Sequence, residues 1–468
     1  MKNKNKEQFK RVLKLFAAFV IIGLFGFCFS KVWNSQYNQD MRERFYYYGN
    51  VLMLIVYVVI YIFSCSSFSA FRVGYYRTPS LFGSQTLSIL FTNTITFIEI
   101  SLISHGRLSP GPMVRLTFLE LIIAALWSIL FTKLYANIYP PRKMLIIYGN
   151  SSAKRLAKKM NSRVDKYIIS DSISCDESID KIKDKILKNQ AVVISDIPSD
   201  MKNQLLKFTF ENDIRTYLNP KLSDILVRGA DECNLFDTPL LLCRNDGLSA
   251  DQQFVKRIVD ILFSLMFIIV GSPFLIGIAL AIKLYDHGPV LYKQERLTEG
   301  GKVFNVYKFR SMIVNAEKNG AQLADKHDDR ITPIGKFIRR IRFDELPQLF
   351  NILKGDMSFV GPRPERPELA AKYEKTMPEF RFRLKVKAGL TGYAQVIGKY
   401  NTTPYDKLKL DLMYIQHQSL KLDLKLMLMT IKILFIPEST EGVDGEVETT
   451  KREKHEIHSR EEVEQILK

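Results

Sequence analysis

Residues 258–284, IVDILFSLMFIIVGSPFLIGIALAIKL, form an apolar stretch long enough to cross a lipid bilayer as a helix. Two features argue against a simple crossing. Gly271-Ser272-Pro273 interrupts the middle, where proline removes a helix hydrogen bond and favours a kink. Basic residues flank both ends, Lys256-Arg257 and Lys283, as if both ends faced the cytoplasm. From these observations alone, a kinked crossing helix and a helix that breaks at Ser272-Pro273 and returns to the same side remain equally open.

Four further apolar segments lie in the first third of the chain, at about 12–30, 46–66, 84–105 and 115–136. Their lengths predict transmembrane helices, of which the third is the least apolar. The amino terminus is placed in the cytoplasm by its basic residues, Lys2, Lys4, Lys6, Lys10 and Arg11. Because an even number of crossings returns the chain to the cytoplasm, residues 1–142 are predicted to form a four-helix transmembrane region.

Between residues 143 and 245, short apolar runs alternate with amphipathic stretches. KMLIIYGN, KYIIS, AVVISDI and IRTYLN read as strands, and the stretches between them read as helices. Such alternation predicts a small parallel α/β sheet. The first strand-to-helix turn, 149–152, lacks the glycine spacing that lets backbone approach a pyrophosphate. We therefore predict a degenerate Rossmann-like domain that does not bind a dinucleotide.

The net charge of +18 favours an anionic partner. Nucleic acid is not expected, since no zinc-finger spacing or other nucleic-acid module accompanies the charge; an anionic membrane surface and phosphorylated substrates are the better candidates. The 5 cysteines are scattered without CxxC spacing, which predicts reduced thiols in a cytosolic setting.

Chemistry-bearing residues concentrate in KFIRRIRFDELPQLFNILKGDMSFVGPRPERPE, 336–368. Apolar residues at helical spacing predict a helix that begins near Asp344, with Pro347 in its first turn. Asp344 would then lie near the cap and Glu345 in the first turn, where backbone N–H groups attract both carboxylates and phosphates. In a purely structural interpretation, Asp344 caps the helix and Glu345 complements its dipole. The functional one is an ionised nucleophile beside a magnesium ligand.

A resemblance to a known family favours the functional interpretation. Lys256-Arg257-x-x-Asp260 opens the long apolar stretch, and GPVLYKQER (288–296) and FNVYKFRSM (304–312) follow it. RFDELPQLFNILKGDMSFVGPRPE (342–365) and VKAGLTGYAQVIGKYN (386–401) complete the series. In this order the blocks resemble the bacterial sugar transferases, the monotopic phosphoglycosyltransferases of capsule, O-antigen and exopolysaccharide synthesis. Ala388 and Tyr393 depart from the proline and tryptophan that are usual there.

The resemblance implies the chemistry and its residues. Asp344 would attack the β-phosphate of a UDP-sugar, release UMP and carry the sugar phosphate until undecaprenyl phosphate accepts it. Glu345 would hold Mg²⁺. Arg339 and Arg363, the latter within Pro362-Arg363-Pro364, would bind phosphate or nucleotide, because a guanidinium pairs two phosphate oxygens at once. Lys308 and Arg310 are further candidates for substrate binding, and their interpretation as ordinary surface charges stays open.

The family resemblance also decides the apolar stretch, which in such proteins is a re-entrant helix that keeps the carboxylates on the cytosolic side. The predicted fold is thus a membrane α-helical bundle plus α/β. Its parts are the region 1–142, the Rossmann-like domain 143–245, an α-rich catalytic domain 252–437 with a re-entrant helix at about 258–284, and a charged tail 438–468.

The expected location is the bacterial inner membrane, with several passes through the lipid bilayer and the catalytic domain in the cytoplasm. The sugar stays open among glucose, galactose and N-acetylated sugars, and so does the number of copies in a homo-oligomer. Two other classes of protein are alternatives to a sugar transferase. A membrane-anchored nucleotide-sugar dehydratase would need a glycine fingerprint followed by Tyr-x-x-x-Lys, and neither is present in 143–235. A non-catalytic scaffold is disfavoured by the intact Asp344-Glu345 and Pro362-Arg363-Pro364.

Overall fold

The computed structural model describes residues 2–104, 108–149, 152–243, 247–314, 328–398 and 402–434. The predicted tail, 438–468, lies outside the described residues. The chain divides into two compact units between Pro220 and Lys221. This division falls before the predicted boundary, so that residues 221–245, predicted to belong to the Rossmann-like domain, lie in the second unit.

The first unit begins with four long helices. They are α1 (Lys2–Val32), which continues through a π-helical turn (Trp33–Tyr37), α2 (Tyr48–Phe68), α3 (Thr78–Ile103) and α4 (Gly111–Ile138). Each contains a stretch long and apolar enough to cross a membrane, as predicted for the four segments. Their mutual contacts bury an aromatic core that includes Phe25, Phe29, Tyr57 and Trp127.

Polar contacts around Glu120, a residue that was not among the sequence predictions, also join these helices. Glu120 of α4 is fully buried, accepts a hydrogen bond of 2.5 Å from the Tyr57 hydroxyl of α2, and accepts another of 2.7 Å from Asn93 of α3. Tyr61 of α2 donates to Gln85 of α3 at 2.7 Å. Satisfied polar groups of this kind fix how apolar helices pack together in lipid.

Strand and helix alternate after α4, as predicted. The order is β1 (Arg142–Tyr148), α5 (Ser152–Asn161), β2 (Tyr167–Ser174), α6 (Ile179–Lys188), β3 (Ala191–Ser195), α7 (Ser199–Glu211) and β4 (Arg215–Leu218). The strands form one parallel sheet in the order β2-β1-β3-β4. After β1, a Cβ on Gly149 would lie 2.2 Å from the Asp196 carbonyl oxygen. The glycine is needed for that close approach to the end of β3.

The second unit contains the remaining elements. They are α8 (Leu222–Arg228), β5 (Asp231–Leu235), β6 (Thr238–Leu242), α9 (Ala250–Asp286), β7 (Leu291–Leu297), β8 (Val303–Phe309), α10 (Pro333–Arg340), α11 (Gln348–Lys354), β9 (Ser358–Val360), α12 (Pro367–Thr376), β10 (Gly389–Thr391), α13 (Tyr393–Ile397), α14 (Pro404–Gln416) and α15 (Leu420–Leu434). Short 3₁₀ segments occur at Glu299–Gly301, Phe343–Glu345 and Pro378–Lys385. Three two-stranded sheets form: β5-β6, β7-β8 and β9-β10.

The helix α9 contains the apolar stretch quoted above and is the fifth helix long and apolar enough to cross a membrane. The helix assignment runs through Pro273 without interruption, so the predicted break is not a loss of helical conformation. Pro273 has no N–H for the carbonyl of Ile269, and the Ser272 hydroxyl donates to that carbonyl instead, at 2.8 Å. Ser272 thereby satisfies the group that its neighbouring proline leaves without a partner.

The first turns of α9 are fixed to the rest of the second unit by charged side chains. Arg257 donates to the carbonyls of Ile352 and Leu353 at 2.6 and 2.7 Å, at the carboxyl end of α11. Asp260 accepts from the backbone N–H of Phe359 at 3.0 Å. Lys256 forms an ion pair with Asp423. The motif Lys256-Arg257-x-x-Asp260 therefore anchors the long helix.

Candidate active site

Asp344 and Glu345 lie in a single 3₁₀ turn, Phe343–Glu345, and α11 begins only at Gln348. The predicted helix start was therefore wrong by several residues, and neither carboxylate caps α11. The reason is Pro347, which has no N–H to donate to the Phe343 carbonyl. Leu346 donates to that carbonyl at 3.2 Å instead, which closes the tighter turn.

The chain enters this turn through Arg342, whose φ of 55° lies in the left-handed region. A side chain other than glycine rarely adopts that conformation, and such backbone strain is often found at functional sites. The reversal lets the turn follow α10 directly. As a result, Arg339 near the end of α10 lies close enough to stabilise the charge of Asp344.

Cationic side chains from four different segments surround the pair. Lys308 of β8 lies 3.3 Å from Glu345 Oε1, and Arg363 donates to the same oxygen at 2.6 Å. Arg339 and Arg342 add to the positive potential. These cationic side chains give the surroundings of the pair a positive potential, which favours an anionic ligand.

The pKa values of the two carboxyl groups are shifted in opposite directions. Burial and the neighbouring Glu345 raise the pKa of Asp344 to about 6, although Lys308, Arg339 and Arg363 act in the opposite direction. Burial would also raise the pKa of Glu345, but Arg363 and Lys308 hold it well below its usual range. Glu345 therefore stays ionised, whereas Asp344 is ionised in most molecules at pH 7 and becomes protonated in mild acid.

The Arg363 side chain is positioned by contacts to the backbone of its own loop, Pro362-Arg363-Pro364. Arg383 donates to the Arg363 carbonyl at 2.9 Å, and Arg296 donates to the Pro364 carbonyl at 3.0 Å. Arg383 is itself buried and ion-paired with the buried Asp411 at 2.9 Å. Sequence reasoning missed these supports. Asp411 could have indicated them, because it stands beside Leu412 and three residues after Leu408. This spacing places a carboxylate on the apolar face of a helix, where it needs a cationic partner.

The same loop is approached closely by the segment around β10. Gly361 donates to the Thr391 carbonyl and Gly389 donates to the Pro362 carbonyl, each at 2.9 Å. A Cβ on Gly392 would lie 2.1 Å from the Gly361 carbonyl oxygen, and one on Gly389 would lie 2.1 Å from the Gly361 nitrogen. The glycines of this segment therefore allow it to support the Arg363 loop, and Ala388 and Tyr393 leave these contacts in place.

Of the residues predicted to form the site, the structure brings together Asp344, Glu345, Arg339, Arg363 and Lys308. Arg310 points elsewhere: it is buried and forms an ion pair with Asp286 at the end of α9. Ser272 and Pro273 lie within α9. Among the described residues, no group of three or more His, Cys, Asp or Glu side chains is arranged to hold a metal ion.

Residues 251–437 match the family model described as Bacterial sugar transferase. The chain is 52% identical to the putative undecaprenyl-phosphate N-acetylgalactosaminyl 1-phosphate transferase of Bacillus subtilis (strain 168) over 130 residues. These residues make up 28% of this chain and 73% of that protein. The chain belongs to the bacterial sugar transferase family.

Two further relatives share less of their length with this chain. The UDP-N-acetylgalactosamine-undecaprenyl-phosphate N-acetylgalactosaminephosphotransferase of Aeromonas hydrophila is 42% identical over 184 residues, 39% of this chain and 44% of that protein. The UDP-glucose:undecaprenyl-phosphate glucose-1-phosphate transferase of Klebsiella pneumoniae is 35% identical over 267 residues, 56% of each chain. The chain thus spans about half the length of these two proteins.

The sugar transferase region contains the whole charged cluster. Lys308, Arg339, Asp344, Glu345 and Arg363 all lie within residues 251–437, and so do the supporting Arg296, Arg383 and Asp411. The blocks that carry the family resemblance thus fall into two groups. One supplies the charged side chains, and the other anchors α9 or holds the Arg363 loop.

Proposed function

We propose that the chain is a phosphoglycosyltransferase that moves a hexose-1-phosphate from a UDP-sugar to undecaprenyl phosphate, with release of UMP. The reaction would be the first membrane step of a capsular polysaccharide or exopolysaccharide pathway. The observation that carries the proposal is the Asp344-Glu345 pair among the cationic side chains of Lys308, Arg339 and Arg363. The diphosphate of a nucleotide sugar is negatively charged and is attracted by such cations.

Asp344 is the nucleophile in this proposal. One of its carboxylate oxygens attacks the β-phosphorus, the bond from that phosphorus to the bridging oxygen breaks, and UMP leaves with the electron pair. The sugar phosphate is then bonded to Asp344 until an oxygen of undecaprenyl phosphate attacks the same phosphorus and releases the carboxylate. Arg339, Arg363 and Lys308 are placed to offset the charge that develops on the phosphoryl oxygens.

The residues present also fit a Mg²⁺ ion. Magnesium in phosphate chemistry commonly takes one or two carboxylates from the protein and completes its coordination with phosphate oxygens and water. Glu345 is ionised, and the two contacts described above both use Oε1. Glu345 would hold the ion, which when bound would neutralise charge on the diphosphate.

The sugar is the least determined part of the substrate. The relatives from Bacillus and Aeromonas are named for N-acetylgalactosamine, and the Klebsiella relative is named for glucose. UDP-N-acetylgalactosamine is therefore the first donor to test, followed by UDP-glucose and UDP-galactose.

The covalent intermediate gives a direct test. When the purified protein is incubated with its UDP-sugar and no undecaprenyl phosphate, UMP release is expected to stop at about one equivalent per active site, because the first half-reaction needs no acceptor. Addition of undecaprenyl phosphate should then start steady turnover. Rapid quench with measurement of UMP distinguishes this from direct transfer, which would give no UMP until the acceptor is added.

The proposed setting is the bacterial inner membrane, with α9 as a re-entrant helix and the site in the cytoplasm. Ile282, near the carboxyl end of α9, packs in a cluster that includes Phe343. Arg257, near its amino end, bonds to Leu353, only ten residues after Phe343. A straight helix would separate residues 257 and 282 by about 38 Å. Its contact partners Phe343 and Leu353 are ten residues apart, and ten residues in helical turns span only roughly 15–20 Å. This difference favours a helix α9 that consists of two arms joined by a kink at Ser272-Pro273.

Cysteine labelling tests this topology. In a variant without the native cysteines, Asp251→Cys and Tyr285→Cys lie before and after the apolar part of α9. Both are expected to react with a membrane-impermeant maleimide only in inside-out vesicles. Arg42→Cys, in the segment between α1 and α2, should react only from the other side. Opposite labelling of the first two positions would mean that α9 crosses the bilayer.

A further inference from the structure

Cationic side chains from three separate segments of the first unit meet around two tyrosine rings. The ammonium of Lys14 on α1 lies 5.5 Å from the ring centre of Tyr135 on α4. The ammonium of Lys166, just before β2, lies 4.1 Å from the ring centre of Tyr75, and the guanidinium of Arg72 lies 5.4 Å from the same centre. Lys166 and Arg72 also act electrostatically on Lys14. We call Lys14, Arg72 and Lys166 the basic cluster.

The loop between α2 and α3 brings these segments together. A Cβ on Gly74 would lie 2.2 Å from the Tyr135 ring, and the φ of 71° at Gly74 lies in the left-handed region, so glycine allows the loop to pass close to α4. On its other side the loop contacts the segment between α5 and β2, where Arg163 donates to the Tyr75 carbonyl at 3.0 Å. The basic cluster therefore lies where the helical bundle meets the domain of the parallel sheet.

Lys14 lies on the face of α1 that points into the bundle. Ala17 and Ile21 are fully buried and follow it three and seven residues later, so the three residues share one face of the helix. Lys10 continues this face and lies 5.0 Å from the ring centre of Tyr139. Lysines that only reach outwards to lipid headgroups would lie on the outer face of a bundle. These two lysines instead lie between the helices, at the end of the bundle.

Within the described residues, acidic side chains do not neutralise the basic cluster. None of its three members forms an ion pair with a carboxylate there. Asp165, which precedes Lys166, is engaged by Arg163 through two hydrogen bonds of 2.8 and 2.9 Å. Burial lowers the pKa of Lys166, since its ammonium has lost part of its hydration. Cations that are held together in this way repel each other, and an anion bound between them would offset the repulsion.

The position of the basic cluster along the helices is the level of lipid headgroups. The apolar helix that begins at Phe9 has 29 residues, which span about 44 Å, whereas the hydrocarbon core of a bilayer is about 30 Å thick. Lys14 lies in the second turn of that helix and Tyr135 in the last turn of α4, so both lie near the headgroups. Basic pockets between membrane helices at this level bind the phosphates of anionic headgroups.

We propose that the basic cluster binds the phosphate group of an anionic ligand at the cytoplasmic end of the bundle. Lys14, Arg72 and Lys166 would donate to the phosphate oxygens, and the ligand would connect α1, the loop before α3 and the sheet domain. This site lies in the first unit, outside the sugar transferase region 251–437. In the membrane setting proposed above, an anionic phospholipid of the same leaflet is the nearest source of the phosphate. A soluble phosphate ester is the other source.

The test is native mass spectrometry of the full-length protein in detergent, with dioctanoyl phosphatidylglycerol and the zwitterionic dioctanoyl phosphatidylcholine as probes. The wild type is expected to bind a single phosphatidylglycerol about tenfold or more tightly than phosphatidylcholine. In Lys14→Gln/Lys166→Gln the affinity for phosphatidylglycerol should fall about thirtyfold, because each cation near an anionic headgroup contributes roughly fivefold. Arg72→Gln changes only an exposed loop residue, which keeps the fold, and should lower the affinity about fivefold.

Lys133→Gln/Lys158→Gln is the matched control, since both lysines are exposed in the first unit and their removal makes the same change in net charge. This variant should keep the wild-type affinity for phosphatidylglycerol within about twofold. Glycerol 1-phosphate, which has a phosphate but no acyl chain, separates the two sources. Displacement of phosphatidylglycerol by a similar concentration of it would support the phosphate site and identify a soluble ligand, and no displacement would identify the lipid.

Three results would overturn the proposal. The first is a wild type that prefers neither phosphatidylglycerol over phosphatidylcholine nor binds glycerol 1-phosphate. The second is an affinity that the changes at Lys14, Arg72 and Lys166 leave unaltered. The third is an equal loss of affinity in the control variant, which would mean that only the net charge of the protein matters. The binding measurement does not depend on the proposed reaction at Asp344.

Discussion

Replacing Asp344 by asparagine is expected to lower UMP release by about 10⁴-fold or more, because an amide does not attack phosphorus as a carboxylate does. Asparagine has nearly the shape of aspartate, so the turn Phe343–Glu345 and its cations should persist. Binding of the nucleotide should therefore remain within a few-fold of the wild type. UMP release with and without undecaprenyl phosphate, together with calorimetric titration with UDP, measures both quantities.

Asp356→Asn is a suitable control for this experiment. Asp356 follows α11, pairs with Lys354 at 3.1 Å and does not contribute to the cluster around Asp344. Its replacement should change turnover by no more than about twofold, because this ion pair lies outside the cluster around Asp344. If Asp344→Asn kept a tenth of wild-type turnover, a phospho-aspartate would not be on the reaction path.

Glu345→Gln is expected to lower kcat/KM by about 10³-fold and to change the dependence of kcat/KM on pH. In the wild type, kcat/KM should fall as the pH drops below about 6, because Asp344 becomes protonated. The charge of Glu345 raises the pKa of Asp344. Removing that charge also leaves Arg363 and Lys308 without their shared partner, so the pKa of Asp344 should fall and the acid limb should move to lower pH.

The rate loss and the pH shift together separate an electrostatic role from simple damage to the fold. Titration with Mg²⁺ adds a third measurement, in which Glu345→Gln should need a higher concentration for half-maximal rate if it holds the ion. Glu368→Gln makes the same charge change on the exposed side of α12 and should leave all three quantities unaltered. An acid limb at the wild-type pH in Glu345→Gln would contradict the coupling of the two carboxylates.

Local sequence patterns were sufficient for much of the fold. Long apolar runs predicted the helices α1 to α4, since a segment of such length and composition forms a helix wherever it lies. Alternating strand and helix patterns predicted the parallel sheet β2-β1-β3-β4, and the turn after β1 lacked the glycines for a dinucleotide. These features depend on neighbours a few residues apart, so they can be read without knowledge of the tertiary structure.

One local prediction at the site, the start of the helix near Asp344, was wrong for a reason that is itself local. Pro347 was accepted within the first helical turn, but its missing N–H produced a 3₁₀ turn and moved the start of α11 to Gln348. Arg310 was named with Lys308 as a candidate for substrate binding, but it does not lie in the cluster around Asp344. The strand β8 ends at Phe309, and beyond it Arg310 turns towards Asp286.

The sequence alone determined the Asp344-Glu345 pair, the arginines beside it and the long apolar helices, because each depends on residue type and short-range spacing. Only the tertiary structure decided which of the candidate cations reach the pair, and it separates Arg310 from the others. Lys308 and Glu345 are 37 residues apart, and Arg383 and Asp411 hold the Arg363 loop from outside the predicted motif. The electrostatic state of Asp344 follows from burial and from charges that four separate segments bring together. No local pattern contains that information, since the potential at a carboxylate depends on distances in space.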